Sequence, residues 1–359
     1  MRRGIYIHVP FCASRCPYCD FYSLRTRVPS VMEQYVSAVI AAFPAFPTKA
    51  DTLYLGGGTP SLLPPDSLIR LIEAAKQSYD LPPDAEITVE CNPSSDLEHL
   101  IPAAASCGVN RISFGMQSAV SGERRQLGRF SDRERVEEVL RLARANGIDN
   151  LSLDIMLGVP GQTMDSLEET LQFCADSGVP HISAYLLKIE PGTVFAHRKE
   201  QLALPDEDTV CAMYLHTCQF LEAAGLRQYE ISNFARPSFE SRHNLHYWRC
   251  EEYVGIGPAA HSFYHGCRFY YPRNLDAFLR GDRPIEDGAG GDLEERIMLA
   301  LRLREGWSGP VPEAVRKYVQ QPGMARFLNW DGETLSLTSE GFLVSNYLIA
   351  ELLERFETN

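Results

Sequence analysis

Short apolar runs alternate with longer amphipathic segments from residue 4 to about residue 233, and this alternation constrains the fold more than any other feature. The apolar runs predict six strands, at residues 4–9, 52–55, 86–90, 111–115, 151–155 and 181–186. The amphipathic segments predict helices near residues 30–43, 66–79, 97–107, 132–146, 165–178 and 207–224. Six strand–helix repeats imply parallel strands joined by right-handed crossovers, as in an α/β barrel or open sheet. In either fold the functional site lies at the carboxyl ends of the strands.

The alternation stops after residue 233, and the chain divides into three parts. Residues 1–233 form the predicted α/β core. Residues 234–290 are rich in aromatic residues, glycine, proline and histidine, so we expect an irregular connecting region with short strands. Residues 291–359 predict a small winged-helix-like α+β domain. Its expected parts are helices at 293–303 and 311–318, a hairpin turning at Asp331-Gly332 within 327–337, and a final helix at 339–356.

The net charge of −13 excludes several classes of function. Sequence-independent nucleic-acid binding needs a basic face, so we expect no nucleic-acid partner, and a DNA-binding winged-helix regulator is disfavoured. No apolar run approaches the roughly 20 residues of a membrane helix. The amino terminus becomes polar too soon for a signal peptide, so we expect a cytoplasmic protein. Ten cysteines in 359 residues are too few for a disulfide scaffold and indicate a reducing compartment.

Three cysteines follow the first predicted strand within one short loop: Cys12, Cys16 and Cys19. Thiolates hold iron–sulfur clusters, and a cubane with three protein ligands keeps one iron open for a small molecule. A zinc knuckle with His8 or Asp20 as fourth ligand is one alternative, and chance clustering of core cysteines is another. Structural zinc motifs usually carry a second pair of ligands at a regular distance, and the next cysteine here is Cys91.

Other distinctive residues also stand where predicted strands end. The run Gly56-Gly57-Gly58-Thr59-Pro60 follows the second strand, Glu90 ends the third, Gln117 lies just past the fourth, and Asp154 ends the fifth. Glycines let backbone groups approach a ligand closely, but this run is neither a phosphate-binding loop nor a dinucleotide fingerprint. Each carboxylate taken alone could be an ordinary exposed or salt-bridged side chain. The shared position predicts that these residues meet the cysteine loop at one rim.

Together these pieces resemble the radical S-adenosylmethionine (SAM) superfamily, and more closely its coproporphyrinogen III dehydrogenase-like branch. The resemblance rests on residues 6–12, 56–61, 111–117 and 154–163. It implies a partial (β/α)6 TIM-type barrel with a [4Fe–4S] cluster on the three cysteines. In that superfamily the reduced cluster passes an electron to SAM, which yields a 5′-deoxyadenosyl radical. The residues that match positions lining SAM are Tyr6, Tyr18, Gly57, Gly58, Thr59, Glu90, Gln117, Arg129 and Asp154.

Two departures distinguish the chain from the anaerobic dehydrogenase. Phe21 stands where the dehydrogenase has a further cysteine, and the cysteine motif begins almost at residue 1. Both features instead resemble the HemW-type heme chaperones. A second signature is similar to their HNxxYW heme-associated motif, because an imidazole can ligate heme iron and aromatic rings can face a porphyrin. Its residues are His243, Asn244, His246, Tyr247 and Trp248. The alternative is a histidine and aromatic cluster packed between domains.

The resemblance therefore implies a heme chaperone that carries a [4Fe–4S] cluster, SAM and heme, and that transfers heme to membrane-bound or other haemoproteins. We expect it in the cytoplasm, with peripheral contact to the membrane and a homodimer as open alternatives. The rival hypothesis is an oxygen-independent coproporphyrinogen III dehydrogenase that decarboxylates propionates oxidatively. No catalytic residue is assigned from the sequence, and the axial heme ligand stays open between His243 and His246.

Overall fold

A computed structural model describes residues 2–357. Its strands are β1 Arg3–Val9, β2 Phe11–Cys12, β3 Leu24–Arg25, β4 Ala50–Gly57, β5 Glu86–Cys91, β6 Arg111–Gln117, β7 Asn150–Leu157, β8 His181–Leu186, β9 Arg227–Gln228, β10 Asn233–Ala235, β11 Tyr253–Ile256, β12 His261–Tyr264, β13 Cys267–Tyr270, β14 Ile285–Ala289, β15 Leu328–Trp330 and β16 Leu335–Leu337.

The α-helices follow the predicted segments closely in the first two thirds of the chain. They are α1 Pro29–Ala42, α2 Pro65–Ser78, α3 Leu97–Ser106, α4 Ser121–Gln126, α5 Arg133–Ala145, α6 Met164–Asp176, α7 Val194–His197, α8 Glu207–Ala223, α9 Arg242–Trp248, α10 Leu275–Leu279, α11 Leu293–Ala300, α12 Glu313–Val319, α13 Ser339–Leu343 and α14 Ser345–Glu357. In the described part of the chain, no helix combines the length and apolar character needed to cross a membrane.

Twelve strands form one sheet in the order β14-β13-β12-β11-β1-β4-β5-β6-β7-β8-β10-β9. The strands from β11 to β8 run parallel to their neighbours. The six predicted strands therefore stand side by side in chain order, as crossover connections require. Side chains from the five strands β4 to β8 line a single cavity, because the sheet curves around it. The α/β prediction is confirmed as a partial barrel.

The core lies between the sheet and its helices. Side chains alternate along each strand, so one set faces the helices and the next faces the barrel interior. Ile5, Ile7 and Leu53 are fully buried on the helix side. Tyr6 and Tyr54, one residue out of phase, face the interior, where their rings lie near the His243 ring. The polar side chains that face the barrel interior form the candidate functional site.

Residues 253–289 take a larger part in the sheet than an irregular connection would. Strands β11 to β14 extend it at one end, and β11 pairs in parallel with β1, with Tyr6 opposite Gly255. These strands are only four or five residues long, so their pattern in the sequence is weak. The domain boundaries at 233 and 290 stay predictions.

Three expected element boundaries were wrong. Gly56 and Gly57 lie inside β4, and Asp154 lies in the middle of β7, because the ladder to β8 continues as far as Leu157. The expected final helix is two helices, α13 and α14, separated by Val344. The amide of Val344 turns back to the Gly341 carbonyl, which ends α13. The hairpin of β15 and β16 forms as expected, with Gly332 at φ 103° in its turn.

Candidate functional site

A cavity of about 540 Å³ opens where the parallel strands end. All three cysteines of the loop line it. The predicted SAM residues that line it are Tyr18, Gly57, Gly58, Thr59, Glu90, Gln117, Arg129 and Asp154. Residues far apart in sequence therefore meet at one rim, as the strand positions predicted.

The cysteine loop is closed by the short strands β2 and β3, where Phe11 pairs with Leu24 and Cys12 with Arg25. The Cys12 thiol lies 3.4 Å from the Thr59 hydroxyl at the end of β4. Within residues 2–357, no three His, Cys, Asp or Glu side chains are grouped closely enough to hold one metal ion. Three thiols that line one cavity are a donor set that suits a cluster in which each thiolate binds a different iron.

The two candidates for a fourth zinc ligand are both engaged elsewhere. The His8 ring hydrogen-bonds the Tyr6 hydroxyl through Nδ1 (3.0 Å) and the Tyr22 carbonyl through Nε2 (2.9 Å). Asp20 is 3.3 Å from the Arg273 guanidinium. Neither side chain is free to complete a knuckle, so the donor set fits a three-cysteine cluster better than zinc.

The glycine run brings the end of β4 against the backbone of the cysteine loop. A Cβ on Gly58 would stand 2.8 Å from the Val9 carbonyl oxygen and 2.7 Å from that of Phe11. Gly57 adopts φ 105°, which side-chain-bearing residues rarely reach, and its Cβ would meet the His8 ring. Close packing therefore explains the glycines at both positions, and the Gly57 amide is itself bound to the Glu90 carboxylate.

Two carboxylates lie on the inner wall of the cavity. Glu90 accepts hydrogen bonds from the Tyr54 hydroxyl (2.8 Å) and the Gly57 amide (3.1 Å). Burial is the main cause that raises the pKa of Glu90 to about 7. Asp154 accepts from the Ser113 hydroxyl (2.9 Å), and burial raises its pKa as well. An ammonium group beside Glu90, or ribose hydroxyls beside Asp154, would offset that desolvation.

Gln117 and Arg129 line the same cavity, with Gln117 on β6 between the strands that carry Glu90 and Asp154. Gln117 ends β6 at a register shift with φ 73°, an uncommon conformation that marks functional sites. Arg129 donates to the Tyr18 hydroxyl (3.2 Å), while its buried Nε has no hydrogen-bond partner. Burial raises the pKa of Tyr18 to about 12 despite the nearby guanidinium, so the phenol stays neutral. An unsatisfied buried donor in the wall is consistent with a polar ligand in the cavity.

Tyr6 is the one SAM candidate that does not line the cavity. Its hydroxyl bonds His8, and its ring lies beside the stacked rings of Tyr54 and His243. The residue therefore supports the site from behind.

Helix α9 carries the HNxxYW-like motif and closes the floor of the barrel. The Glu86 carboxylate at the start of β5 accepts the amides of Arg242 and His243, each at 3.0 Å, which satisfies two amides of the first turn of α9. Of the five heme candidates, only Asn244 lines the cavity. His243 and His246 are buried, at 1% and 7% exposure.

Both imidazoles of the motif are fully hydrogen-bonded. His243 meets the Thr52 hydroxyl through Nδ1 and the Tyr247 hydroxyl through Nε2, each at 2.7 Å. Burial is the main cause that lowers the pKa of His243 far below its usual range, so this ring is neutral.

His246 lies between Asp51 and Glu251. Burial opposes its charge, but hydrogen bonds to these two carboxylates outweigh burial and raise its pKa to about 9.

Trp248, the last residue of α9, is half-buried, and the Arg302 guanidinium lies 6.0 Å from its ring centre. This contact links the motif to the segment that follows α11. His243, His246 and Trp248 are thus surrounded by other parts of the chain. These surroundings match the alternative to heme contact, in which the motif packs between regions of the chain.

The structure adds cavity residues that the sequence reasoning missed. Five of them lie on the inward phase of predicted strands: Tyr54, Arg111, Ser113, Ser183 and Tyr185. In the sequence, these residues stand out only as polar side chains at every second position of otherwise apolar strands. Those positions become informative only when the inward phase of each strand is known.

This fold and the cysteine-lined cavity define a radical SAM protein, and the model of the Radical SAM superfamily matches residues 6–174. The solved structure of Escherichia coli coproporphyrinogen III oxidase (HemN), titled a radical SAM enzyme, superposes with a TM-score of 0.83. The two are 21% identical over 99% of this chain and 90% of that one, so this likeness shows the fold alone.

Full-length relatives narrow the family. The chain is 33% identical to the heme chaperone HemW of Mycobacterium tuberculosis, over 98% of this chain and 94% of that protein. It is 36% identical to the heme chaperone HemW of Escherichia coli, over 96% and 97%. The chain therefore belongs to the HemW family of the radical SAM superfamily. Membership in the superfamily implies a [4Fe–4S] cluster and bound SAM.

Proposed function

We propose that this protein is a heme chaperone, which binds heme and transfers it to haemoproteins. The observation that carries the proposal is the full-length similarity to proteins named heme chaperones. Phe21 supports it, because this side chain is 66% exposed at the cavity rim where the anaerobic dehydrogenase has a further cysteine.

The cavity residues divide into three roles under this proposal. Cys12, Cys16 and Cys19 would hold the cluster, and Gly57, Gly58, Thr59 and Glu90 would hold the methionine end of SAM. The remaining wall would contact the rest of SAM through Tyr18, Gln117, Arg129 and Asp154. When bound, a reduced cluster can supply one electron to the SAM sulfonium. The chain's own contribution is to orient these groups and to exclude water.

For heme iron, His243 is a better candidate ligand than His246. Ligation needs a neutral ring nitrogen, and His243 is neutral with Nε2 held only by the Tyr247 hydroxyl. His246 is held as an imidazolium by two carboxylates. Heme contact through this motif, with Asn244 at the cavity and Tyr247 and Trp248 alongside, therefore requires α9 to shift, because both histidines are now buried.

The remaining parts of the proposal follow from the same function. The recipients are haemoproteins, including membrane-bound ones, and the protein works in the cytoplasm with peripheral contact to the membrane. A homodimer is a further proposal. The division into a core at 1–233, a connection at 234–290 and a small domain at 291–359 would place the motif in the connection.

Heme titration of the reconstituted protein tests the proposal. We expect a Soret band with one-to-one stoichiometry, and transfer of the bound heme to an acceptor apo-haemoprotein. His243→Ala should weaken the band. The matched control is His216→Ala, a histidine of α8 paired with Glu168 outside the cavity. Absence of a Soret shift in the unchanged protein would refute the chaperone function.

The second candidate, a coproporphyrinogen III dehydrogenase, is favoured by the shared fold with HemN. An anaerobic assay with SAM, a reductant and coproporphyrinogen III separates the two functions. Robust formation of protoporphyrinogen would replace the chaperone proposal with the enzyme. Heme transfer without turnover supports the chaperone.

A further inference from the structure

The deep end of the cavity contains a charge that no group in the protein pairs with directly. Arg111 opens β6 and is only 2% exposed, yet it lines the cavity. Its guanidinium makes no hydrogen bond or ion pair with any residue between 2 and 357, and its buried Nε has no partner. Most buried guanidinium groups are paired, because an unpaired buried charge is costly. The Arg111 guanidinium is therefore an open donor, that is, a hydrogen-bond donor without a protein partner, and it faces the cavity.

A second open donor faces the same space. Asn244 on α9 lines the cavity, and its side-chain amide makes no hydrogen bond with any described residue. Behind the cavity wall, His243 and Tyr247 of α9 bond each other. Among the described residues that line this end of the cavity, Arg111 and Asn244 therefore keep side-chain donors without a protein partner.

The electrostatics keep Arg111 charged. Burial opposes the charge, but Glu86 and Asp154 act with neighbouring tyrosines and raise the pKa of Arg111. Neither carboxylate lies within ion-pair distance of the guanidinium in the described chain. Glu86 is committed to the amides of α9, and Asp154 to Ser113. The two carboxylates therefore stabilise the charge of Arg111 from a distance, and its guanidinium stays available to a ligand.

We propose that Arg111 and Asn244 form a carboxylate-binding subsite at the floor of the cavity. A planar guanidinium binds a carboxylate through two parallel hydrogen bonds, and an amide can donate a third. The subsite lies at the end of the strands opposite the cysteine loop, since Arg111 begins β6 and the loop follows the end of β1. It is thus distinct from the positions assigned to the cluster and to the methionine end of SAM.

Two ligands carry a carboxylate of this kind. One is a propionate of heme, and this choice of ligand rests on the proposed function. The other is the amino-acid carboxylate of a SAM molecule separate from the one whose methionine end is placed at Gly57, Gly58, Thr59 and Glu90. Each has an analogue that lacks the charge: heme dimethyl ester and decarboxylated SAM.

The experiment compares the unchanged protein with Arg111→Met, which keeps a flexible unbranched stem but removes the guanidinium and its charge. Heme and its dimethyl ester are titrated by absorbance, and SAM and decarboxylated SAM by equilibrium dialysis. Loss of a charge-assisted bidentate contact should weaken one carboxylate ligand about tenfold to a hundredfold and leave its uncharged analogue unchanged. The matched control is Arg124→Met, a buried arginine outside the cavity whose guanidinium donates to the Ser118 carbonyl.

The outcomes distinguish the sources. A loss for heme but not for its ester assigns a propionate, and a loss for SAM but not for its decarboxylated analogue assigns the amino acid. If folded Arg111→Met binds each of the four probes with the same affinity as the unchanged protein does, the subsite is overturned. If the unchanged protein binds no heme, the chaperone function fails, while the SAM titrations still decide the subsite. If Arg111→Met does not fold, Asn244→Ala replaces it, with a smaller loss expected on the same carboxylate probe.

Discussion

The two ends of the barrel interior carry similar numbers of polar side chains but treat them in opposite ways. At the mouth, the three loop cysteines are only partly buried and face the cavity without closing on each other. At the floor, His243 and His246 are buried, and all four of their ring nitrogens are hydrogen-bonded. A group that must bind something external is left unsatisfied by the protein, whereas a group that holds the fold is satisfied within it. The comparison supports the proposed cluster at the mouth, and it indicates that His243 and His246, unlike Arg111 and Asn244, serve stability at the floor.

The largest expected effect is at the mouth. Cys12→Ser should abolish cluster assembly, because a cubane held by three protein ligands cannot lose one and remain bound firmly. Iron and sulfide content after anaerobic reconstitution measures this, with near-zero values expected and little change in thermal stability. Cys267→Ser, a half-buried cysteine in β13, is the matched control and should keep the cluster. An intact cluster in Cys12→Ser would contradict the role of the loop cysteines as cluster ligands, and the contrast between mouth and floor would fail.

At the floor, Glu86→Ala should be the most destabilising change. It removes a buried carboxylate that accepts two backbone amides of α9. Two hydrogen bonds to a charged acceptor imply a loss of about 4 kcal/mol in the free energy of unfolding, measured by urea denaturation. Glu98→Ala removes an exposed carboxylate paired with Arg135 and should change stability by less than about 1 kcal/mol. Equal effects of the two substitutions would contradict the anchoring role of Glu86.

His246 predicts a pH dependence of stability. Its pKa is raised from 6.5 to about 9 in the folded protein, so its stabilising contribution is complete below pH 6.5 and disappears as the pH rises through 9. The groups that face it are Asp51 and Glu251, with Arg242 and His243 nearby. The stability difference between the unchanged protein and His246→Gln should therefore shrink by up to about 3 kcal/mol between pH 6 and pH 10.

Denaturant unfolding at several pH values measures this difference, and His216→Gln serves as the control. A difference that stays constant over the whole range would show that folding does not shift the pKa of His246. The floor would then lack the ion-paired imidazolium that separates it from the mouth.

The smallest effect tests a single hydrogen bond at the floor. Thr52→Val removes the hydroxyl bound to His243 Nδ1 while keeping the shape of the side chain. The free energy of unfolding should fall by about 1 kcal/mol, with no change in cluster content. Thr88→Val is the matched control, since Thr88 is fully buried on the next strand and its hydroxyl has no partner. We expect the control to be neutral or stabilising, so a larger loss there would contradict this account of the floor.

The sequence predicted the fold and the mouth well because both depend on local signals. Helix and strand periodicity placed the elements within a few residues, and parallel strands must bring their carboxyl ends to one edge. Cys12, Glu90 and Asp154 therefore came together as expected, although Asp154 lies within its strand. Tyr6 was assigned to the cavity by resemblance, and only the structure showed that its ring lies beside His243 and does not line the cavity.

The floor could not be predicted in the same way. The motif at 243–248 has the residue types of a heme site, and nothing in its pattern indicates that Thr52, Asp51 and Glu86, from distant strands, would satisfy its polar groups. The sequence alone predicted that the three closely spaced thiols and the strand-end residues meet at one rim, because both are local signals, and the resemblance to the radical SAM superfamily implied the cofactors. Only the tertiary structure decided which polar groups remain open to a ligand, because hydrogen-bond satisfaction depends on partners far away in the chain, 195 positions in the case of His246 and Asp51.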